Sequence, residues 1–245
     1  AHVKSWIFFE WAPTYPYNHP ATTGGNSISV LGSNFGTTTY SDKTRLGDTT
    51  AEATIWISDS TIRVRVAEGI GAELYLGITT LSGVGEVDAG FSYGRPVISG
   101  RTLGLAPLFS PANGPVAGNS TTTIFGFNFG TTDYSGKASL GGTAINEVLT
   151  NWQSDTMIAI RTPPGACDGT EVSFTVARQI DTHTKAWSYD APEISAAPKA
   201  AVNGSAINSP TTGGKTVTVL GINFGVWRLS GNGKYGETSG EASKW

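Results

Sequence analysis

Ser27-Ile28-Ser29-Val30-Leu31-Gly32-Ser33-Asn34-Phe35-Gly36 has two close counterparts further along the chain. They are Thr121-Thr122-Thr123-Ile124-Phe125-Gly126-Phe127-Asn128-Phe129-Gly130 and Thr216-Val217-Thr218-Val219-Leu220-Gly221-Ile222-Asn223-Phe224-Gly225. The three Asn-Phe-Gly tripeptides start at residues 34, 128 and 223, so a repeat of about 95 residues organises the sequence. Each copy is a short β-branched run ended by Gly, the pattern of a half-buried strand entering a turn.

Downstream, the first two copies stay in step. Trp56-Ile57-Ser58-Asp59-Ser60-Thr61-Ile62 matches Trp152-Gln153-Ser154-Asp155-Thr156-Met157-Ile158, and Phe91-Ser92-Tyr93 matches Trp187-Ser188-Tyr189. Period-2 alternation fills the unit. Ile62, Val64 and Val66 share one face with Arg63 and Arg65 on the other, and Val172, Phe174 and Val176 alternate with Ser173 and Thr175. No helical stripe of ten residues is present. Short strands separated by Gly, Pro and Asn turns in a 95-residue unit predict a two-sheet sandwich.

The order Pro, Thr-Gly-Gly, alternating aliphatic run, Gly-x-Asn-Phe-Gly, Trp-and-Asp strand, Pro-Pro-Gly and aromatic-x-Tyr strand resembles the IPT/TIG immunoglobulin-like domain. Thr211-Thr212-Gly213-Gly214 through Gly225, and Trp152 through Pro163-Pro164-Gly165, carry the likeness best. The first copy departs from it at Ala67-Glu68-Gly69, and the second lacks the Gly-Gly pair near Gly118. The resemblance implies an all-β fold: tandem immunoglobulin-like β-sandwiches of the IPT/TIG type in an elongated array.

The units are expected at 9–94 and 95–190, with an incomplete third at 191–245. Glu241-Ala242-Ser243-Lys244-Trp245 matches Glu52-Ala53-Thr54-Ile55-Trp56, the middle of a unit. Residues 1–8 contain Val3, Lys4, Ser5, Trp6, Ile7 and Phe8, and His2–Phe8 is similar to His183–Tyr189. They therefore read as an orphan closing strand, belonging either to a preceding domain of a longer chain or to a neighbouring molecule. The first is preferred, because one donated strand would not supply the counterparts of residues 153–189 that the third copy lacks.

Composition narrows function. The chain has 245 residues with 32 Gly, 12 Pro, 14% charged residues and a net charge of −3, which gives no basic footprint for nucleic acid. No run approaches the 20 or so apolar residues of a membrane span. The one cysteine, Cys167, has no partner for a disulfide or a zinc site. Gly214-Lys215-Thr216 and Gly231-Asn232-Gly233-Lys234-Tyr235-Gly236 mimic phosphate loops without the strand-to-helix context that such loops need. No catalytic, cofactor-binding or metal-binding set emerges, and none of His2, His19 and His183 has a catalytic companion.

Trp6, Trp56, Trp152, Trp187 and Trp245 recur at equivalent places and read as core. Trp11 and Trp227 fall outside that pattern and are candidates for exposed contacts. Asn119-Ser120-Thr121 and Asn203-Gly204-Ser205 are glycosylation sequons, making Asn119 and Asn203 candidate acceptors. Acidity and tandem arrangement favour the family's extracellular arrays. The expectation is a non-enzymatic, extracellular structural or adhesive protein, a segment or protomer of a surface filament joined head to tail to homotypic neighbours. The alternative is a carbohydrate-binding accessory module with glycans as partners.

Overall fold

The computed structural model describes residues 2–9, 19–81, 83–99, 109–110, 112–145, 149–196, 212, 218–225, 234–235 and 238–239. Every regular element of four residues or more among them is a β-strand, and no helix among them is long and apolar enough to cross a membrane.

The first unit contains β1 (His2–Phe9), β2 (Ser27–Ser33), β3 (Lys43–Leu46), β4 (Thr49–Thr50), β5 (Ala53–Ser58), β6 (Thr61–Arg65), β7 (Leu74–Thr80) and β8 (Gly83–Phe91). They form two four-stranded sheets, ordered β1-β2-β6-β5 and β4-β3-β7-β8. Alternation places Ile28, Val30, Ile62, Val64, Leu76 and Ile78 between the sheets, with Phe35, Phe91 and Tyr93 completing the core. Each fully buried aliphatic side chain contributes about 1.5–3 kcal/mol.

The second unit repeats this plan. Its strands are β9 (Val97–Ile98), β10 (Phe109–Ser110), β11 (Asn113–Gly114), β12 (Thr121–Phe127), β13 (Lys137–Leu140), β14 (Thr143–Ala144), β15 (Thr150–Ser154), β16 (Met157–Arg161), β17 (Thr170–Val176) and β18 (Gln179–Tyr189). One sheet runs β10-β12-β16-β15 with β9 also on β12, and the other β11-β18-β17-β13-β14. Beyond it lie β19 (Glu193–Ala196), paired with β20 (Leu220–Ile222), and the hairpin of β21 (Lys234–Tyr235) and β22 (Thr238–Ser239).

The N-terminal strand differs from its expectation. Read as the closing strand of another domain, the segment holding Val3, Lys4, Ser5, Trp6, Ile7 and Phe8 instead pairs antiparallel with β2 of its own chain. Register gives the reason. Val3 stands opposite Gly32, as Ile98 stands opposite Gly126 and Ile194 opposite Gly221. β1 therefore occupies the entry position that β9 and β19 occupy in their units, and the first sheet starts at His2 instead of after residue 8. The local likeness to His183–Tyr189 was of composition; the open edge of β2 decides the pairing.

That register also sets the role of the first Gly in Gly-x-Asn-Phe-Gly. A Cβ on Gly126 would lie 2.1 Å from the Val97 carbonyl oxygen, and one on Gly221 would lie 2.1 Å from that of Glu193. These glycines admit the entry strand's backbone. The last Gly takes a positive φ, 103° at Gly36, Gly130 and Gly225 alike.

Candidate functional site at the junction between units

Each Asn-Phe-Gly turn is built in the same way. Asn34, Asn128 and Asn223 adopt left-handed φ of 64°, 60° and 61°, which Asn tolerates better than most residues. Phe35 and Phe129 drop into their cores. The turn is then fastened to the Ser-Asp turn between the following strands. The Phe35 and Phe129 amides donate to the Asp59 and Asp155 carbonyls at 3.0 Å each. The Gly36 and Gly130 amides donate to the Asp59 and Asp155 carboxylates at 3.0 and 2.9 Å. The Trp56 and Trp152 indoles close the turn by donating to the Gly36 and Gly130 carbonyls.

The Asn side chain reaches beyond its own turn. Asn128 Nδ2 donates to the Arg95 carbonyl at 3.0 Å, and Asn223 Nδ2 donates to that of Ala191 at 3.3 Å. Both acceptors lie in the short links between units. The residue before each is held by the unit it leaves: the Gly94 amide donates to the Pro20 carbonyl and the Asp190 amide to the Gly114 carbonyl, each at 2.8 Å. Each link is thus gripped on one side by the unit just completed and on the other by the Asn of the next.

Between the first two units three further contacts cross. Gln179 Nε2, where β18 begins, donates to the Tyr93 carbonyl at 3.0 Å. The Thr22 hydroxyl donates to the Asp155 carboxylate. Ile70 packs against the second unit's core cluster, where a Cβ on Gly130 would lie 3.4 Å from its Cγ2. Beside these contacts His19, Ala72, Ser92, Tyr93, Arg95, Gln179 and Ile180 line an open depression of about 400 Å³.

The tyrosines beside the two links are structural. Tyr93 donates its hydroxyl to the Ala67 carbonyl at 2.9 Å, and Tyr189 donates to that of Pro163 at 2.8 Å. Burial, helped by nearby Tyr134 and Glu68, pushes the Tyr93 phenol up to about 12, and burial followed by Cys167 raises that of Tyr189. Neither is an acid or nucleophile near neutral pH. No group of three or more His, Cys, Asp or Glu suited to a metal occurs among the described residues.

Of the residues singled out in the sequence, Trp56, Trp152 and Trp187 pack in or against the cores, Asn119 is exposed on the loop before β12, and the Cys167 thiol is exposed. Trp11, Trp227, Trp245 and Asn203 lie outside the described residues. Sequence reasoning missed Thr22, Ile70 and Gln179, and gave Asn128 and Asp155 no role between units. Recurrence marked the Asn and the Asp; nothing in the sequence marked the other three.

The family model described as the IPT/TIG domain matches residues 15–93 and 108–190. The chain belongs to the IPT/TIG family. It carries these domains in tandem, and their fold is the immunoglobulin-like sandwich. Among solved structures it is similar to the surface glycan-binding protein PbSGBP-B from Prevotella bryantii, at 13% identity over 75% of this chain and 43% of that one, with a TM-score of 0.42. It is also similar to SGBP-B from a complex xyloglucan utilization locus in Bacteroides uniformis, at 12% identity over 76% and 49%, with a TM-score of 0.31. The Plexin A4 full extracellular region matches at 14% identity over 70% and 17%, with a TM-score of 0.35. This chain spans less than half the length of each of the three. No curated protein matches it.

Proposed function

We propose that this is a non-enzymatic extracellular repeat protein with a structural or adhesive role, whose IPT/TIG units are joined head to tail in a fixed geometry. The units are 9–94 with β1 added, 95–190, and a third that begins at 191, and the partners are further repeats of the same kind. The observation that carries this reading is the link grip, which occurs twice: Gly94 on Pro20 with Asn128 on Arg95, then Asp190 on Gly114 with Asn223 on Ala191. A repeated grip gives successive units the same relation, which is what an extended array requires. Between the first two units the Asn128 and Gln179 amides, the Thr22 hydroxyl and the Asp155 carboxylate are engaged in holding the units together. The extracellular setting is carried over from the family's tandem arrays.

Residual dipolar couplings and small-angle scattering of the whole chain test it. In the native protein the first two units should share one alignment tensor. Asn128→Ala, Gln179→Ala and Thr22→Val combined remove three bonds of about 0.5–1.5 kcal/mol each and should separate the tensors. Native units that already tumble independently would refute a fixed junction.

A further inference from the structure

The outer face of the first unit's β3-β7-β8 sheet carries a group of side chains that its counterpart in the second unit lacks. Register places Arg45 opposite Gly77 and Gly77 opposite Glu86, so these three form one row across three strands. Tyr75, two residues before Gly77, points to the same face. Its ring lies down over that glycine: a Cβ on Gly77 would meet the Tyr75 hydroxyl oxygen at 2.6 Å and Cε1 at 2.7 Å. The Glu86 carboxylate lies near enough to the Tyr75 hydroxyl to raise the phenol's pKa, with burial and then Asp88 adding to the rise and Arg45 opposing it. Arg45, Glu86 and Asp88 are exposed, while Tyr75 is half-buried, with part of its ring against the sheet.

The second unit supplies the control. Its equivalent row is Ser139, Ser173 and Thr182, with the two serine hydroxyls 2.6 Å apart, and Glu171 stands where Tyr75 would be. The sandwich folds without the tyrosine, the glycine or these charges, so the fold does not require them.

We infer that Tyr75, held flat by Gly77 and flanked by Arg45, Glu86 and Asp88, is a binding platform for a pyranose ring of a glycan. An all-equatorial pyranose presents axial C–H bonds as a flat apolar face that stacks on an aromatic ring, with hydroxyls around its rim that both donate and accept. The two carboxylates accept from those hydroxyls, and the guanidinium supplies donors in a fixed fork. The platform carries both charge signs, so neither a bare cation nor a bare anion is its natural ligand. The assignment deepens the adhesive part of the proposed role and takes only its extracellular setting from that reading. The junction variants above test the array separately, so either idea can fail alone.

The test is an NMR titration of the whole chain with cellohexaose, mannohexaose and laminarihexaose at millimolar concentration. At least one should shift the amides of Gly77 and Glu86 and the Tyr75 ring protons. Tyr75→Ala, and Tyr75→Glu, which copies the second unit, should weaken binding roughly tenfold or more with the remaining spectrum unchanged. Gly77→Ala keeps every ligand-facing group but lifts the ring, and should weaken binding several-fold. The platform is overturned if none of the three sugars shifts this face, if the shifts survive Tyr75→Ala, or if a polylysine peptide shifts it and the sugars do not.

Discussion

Asp42 stands immediately before β3 with its side chain turned into the first unit. It is 8% exposed, and both carboxylate oxygens are buried without a hydrogen-bond partner. The second unit has Gly136 here, and a Cβ on that glycine would lie 2.2 Å from Cζ of Phe174. Register makes Ile78 the counterpart of Phe174, so the shorter side chain leaves room for Asp42 and nothing to bond it. An unsatisfied buried polar group costs about 1–3 kcal/mol, and more when charged. Asp42→Ala should therefore stabilise the first unit by about 1–3 kcal/mol at pH 7, or roughly 5- to 150-fold in its opening constant.

The pH dependence has a definite sign. Desolvation raises the Asp42 pKa in the native state above its value in the unfolded chain. Between those two values the native state binds the extra proton, so the penalty is full above the native pKa and fades as pH falls through it. The advantage of Asp42→Ala should shrink toward acid and level off below the unfolded carboxylate range. Amide exchange by mass spectrometry between pH 4 and 7 reads this, with β7 reporting the first unit and β17 serving as an unaffected reference. A variant that destabilises β7 at pH 7, or an advantage that grows toward acid, would show that the carboxylate has a stabilising partner and refute the reasoning.

Three further outcomes are expected. Ala89 and Lys185 are exposed with φ of 52° and 55°, so Ala89→Gly and Lys185→Gly should each raise the melting temperature, gaining up to about 1 kcal/mol after glycine's entropy cost; a fall would mean that the backbone at these positions is unstrained. The Trp152 indole donates to the Gly130 carbonyl at 3.1 Å, whereas the buried Trp187 indole has no partner, so urea titration should find Trp152→Phe costlier than Trp187→Phe by about 1–2 kcal/mol, and the reverse order would contradict that assignment. Exposed Asn119, followed two residues later by exposed Thr121, should gain a glycan in a eukaryotic secretory host, seen as added mass lost in Asn119→Gln; unmodified native protein would count against it.

The sandwich was legible because its evidence is local or repeated. Ile62 and Val64 against Arg63 and Arg65 describe a strand from four residues, and the spacing of Asn-Phe-Gly fixes the unit without any structural knowledge. The junction was not legible, because its bonds join residues far apart in sequence: Gln179 to Tyr93, Thr22 to Asp155. Gln179 would look the same in any exposed hairpin, and only the placement of the preceding unit gives it a partner. The N-terminal strand was misread for a related cause. A seven-residue likeness identified it by composition, whereas pairing is decided by which edge is open and which glycine on β2 lets a backbone approach. The Asn of the motif was found at once, but its acceptor lies 33 residues away, where no local pattern points to it.

Two sandwiches of one family in one chain separate what the fold needs from what it merely tolerates. Where both units keep the same arrangement, as at Trp56 and Trp152 or Tyr93 and Tyr189, the bonds made are internal and serve the fold. Where they part, two causes are distinguishable. Asp42 with Ile78, against Gly136 with Phe174, is a volume exchange: each pair fills its end of the core, and the Asp42 charge is a cost carried by one solution and absent from the other. Tyr75, Gly77, Arg45 and Glu86 stand on the outer face of their sheet, as Glu171, Ser173, Ser139 and Thr182 do on theirs, so this exchange leaves the core between the sheets untouched. A difference that packing neither requires nor penalises, yet that places an aromatic ring, a guanidinium and two carboxylates around one glycine, has its explanation outside the fold. If that explanation is a glycan, Gly77→Ala must reduce binding while leaving amide exchange in β7 as it was, since the added methyl displaces only the ring above it. Equal loss of protection and binding would return the glycine to an ordinary structural role.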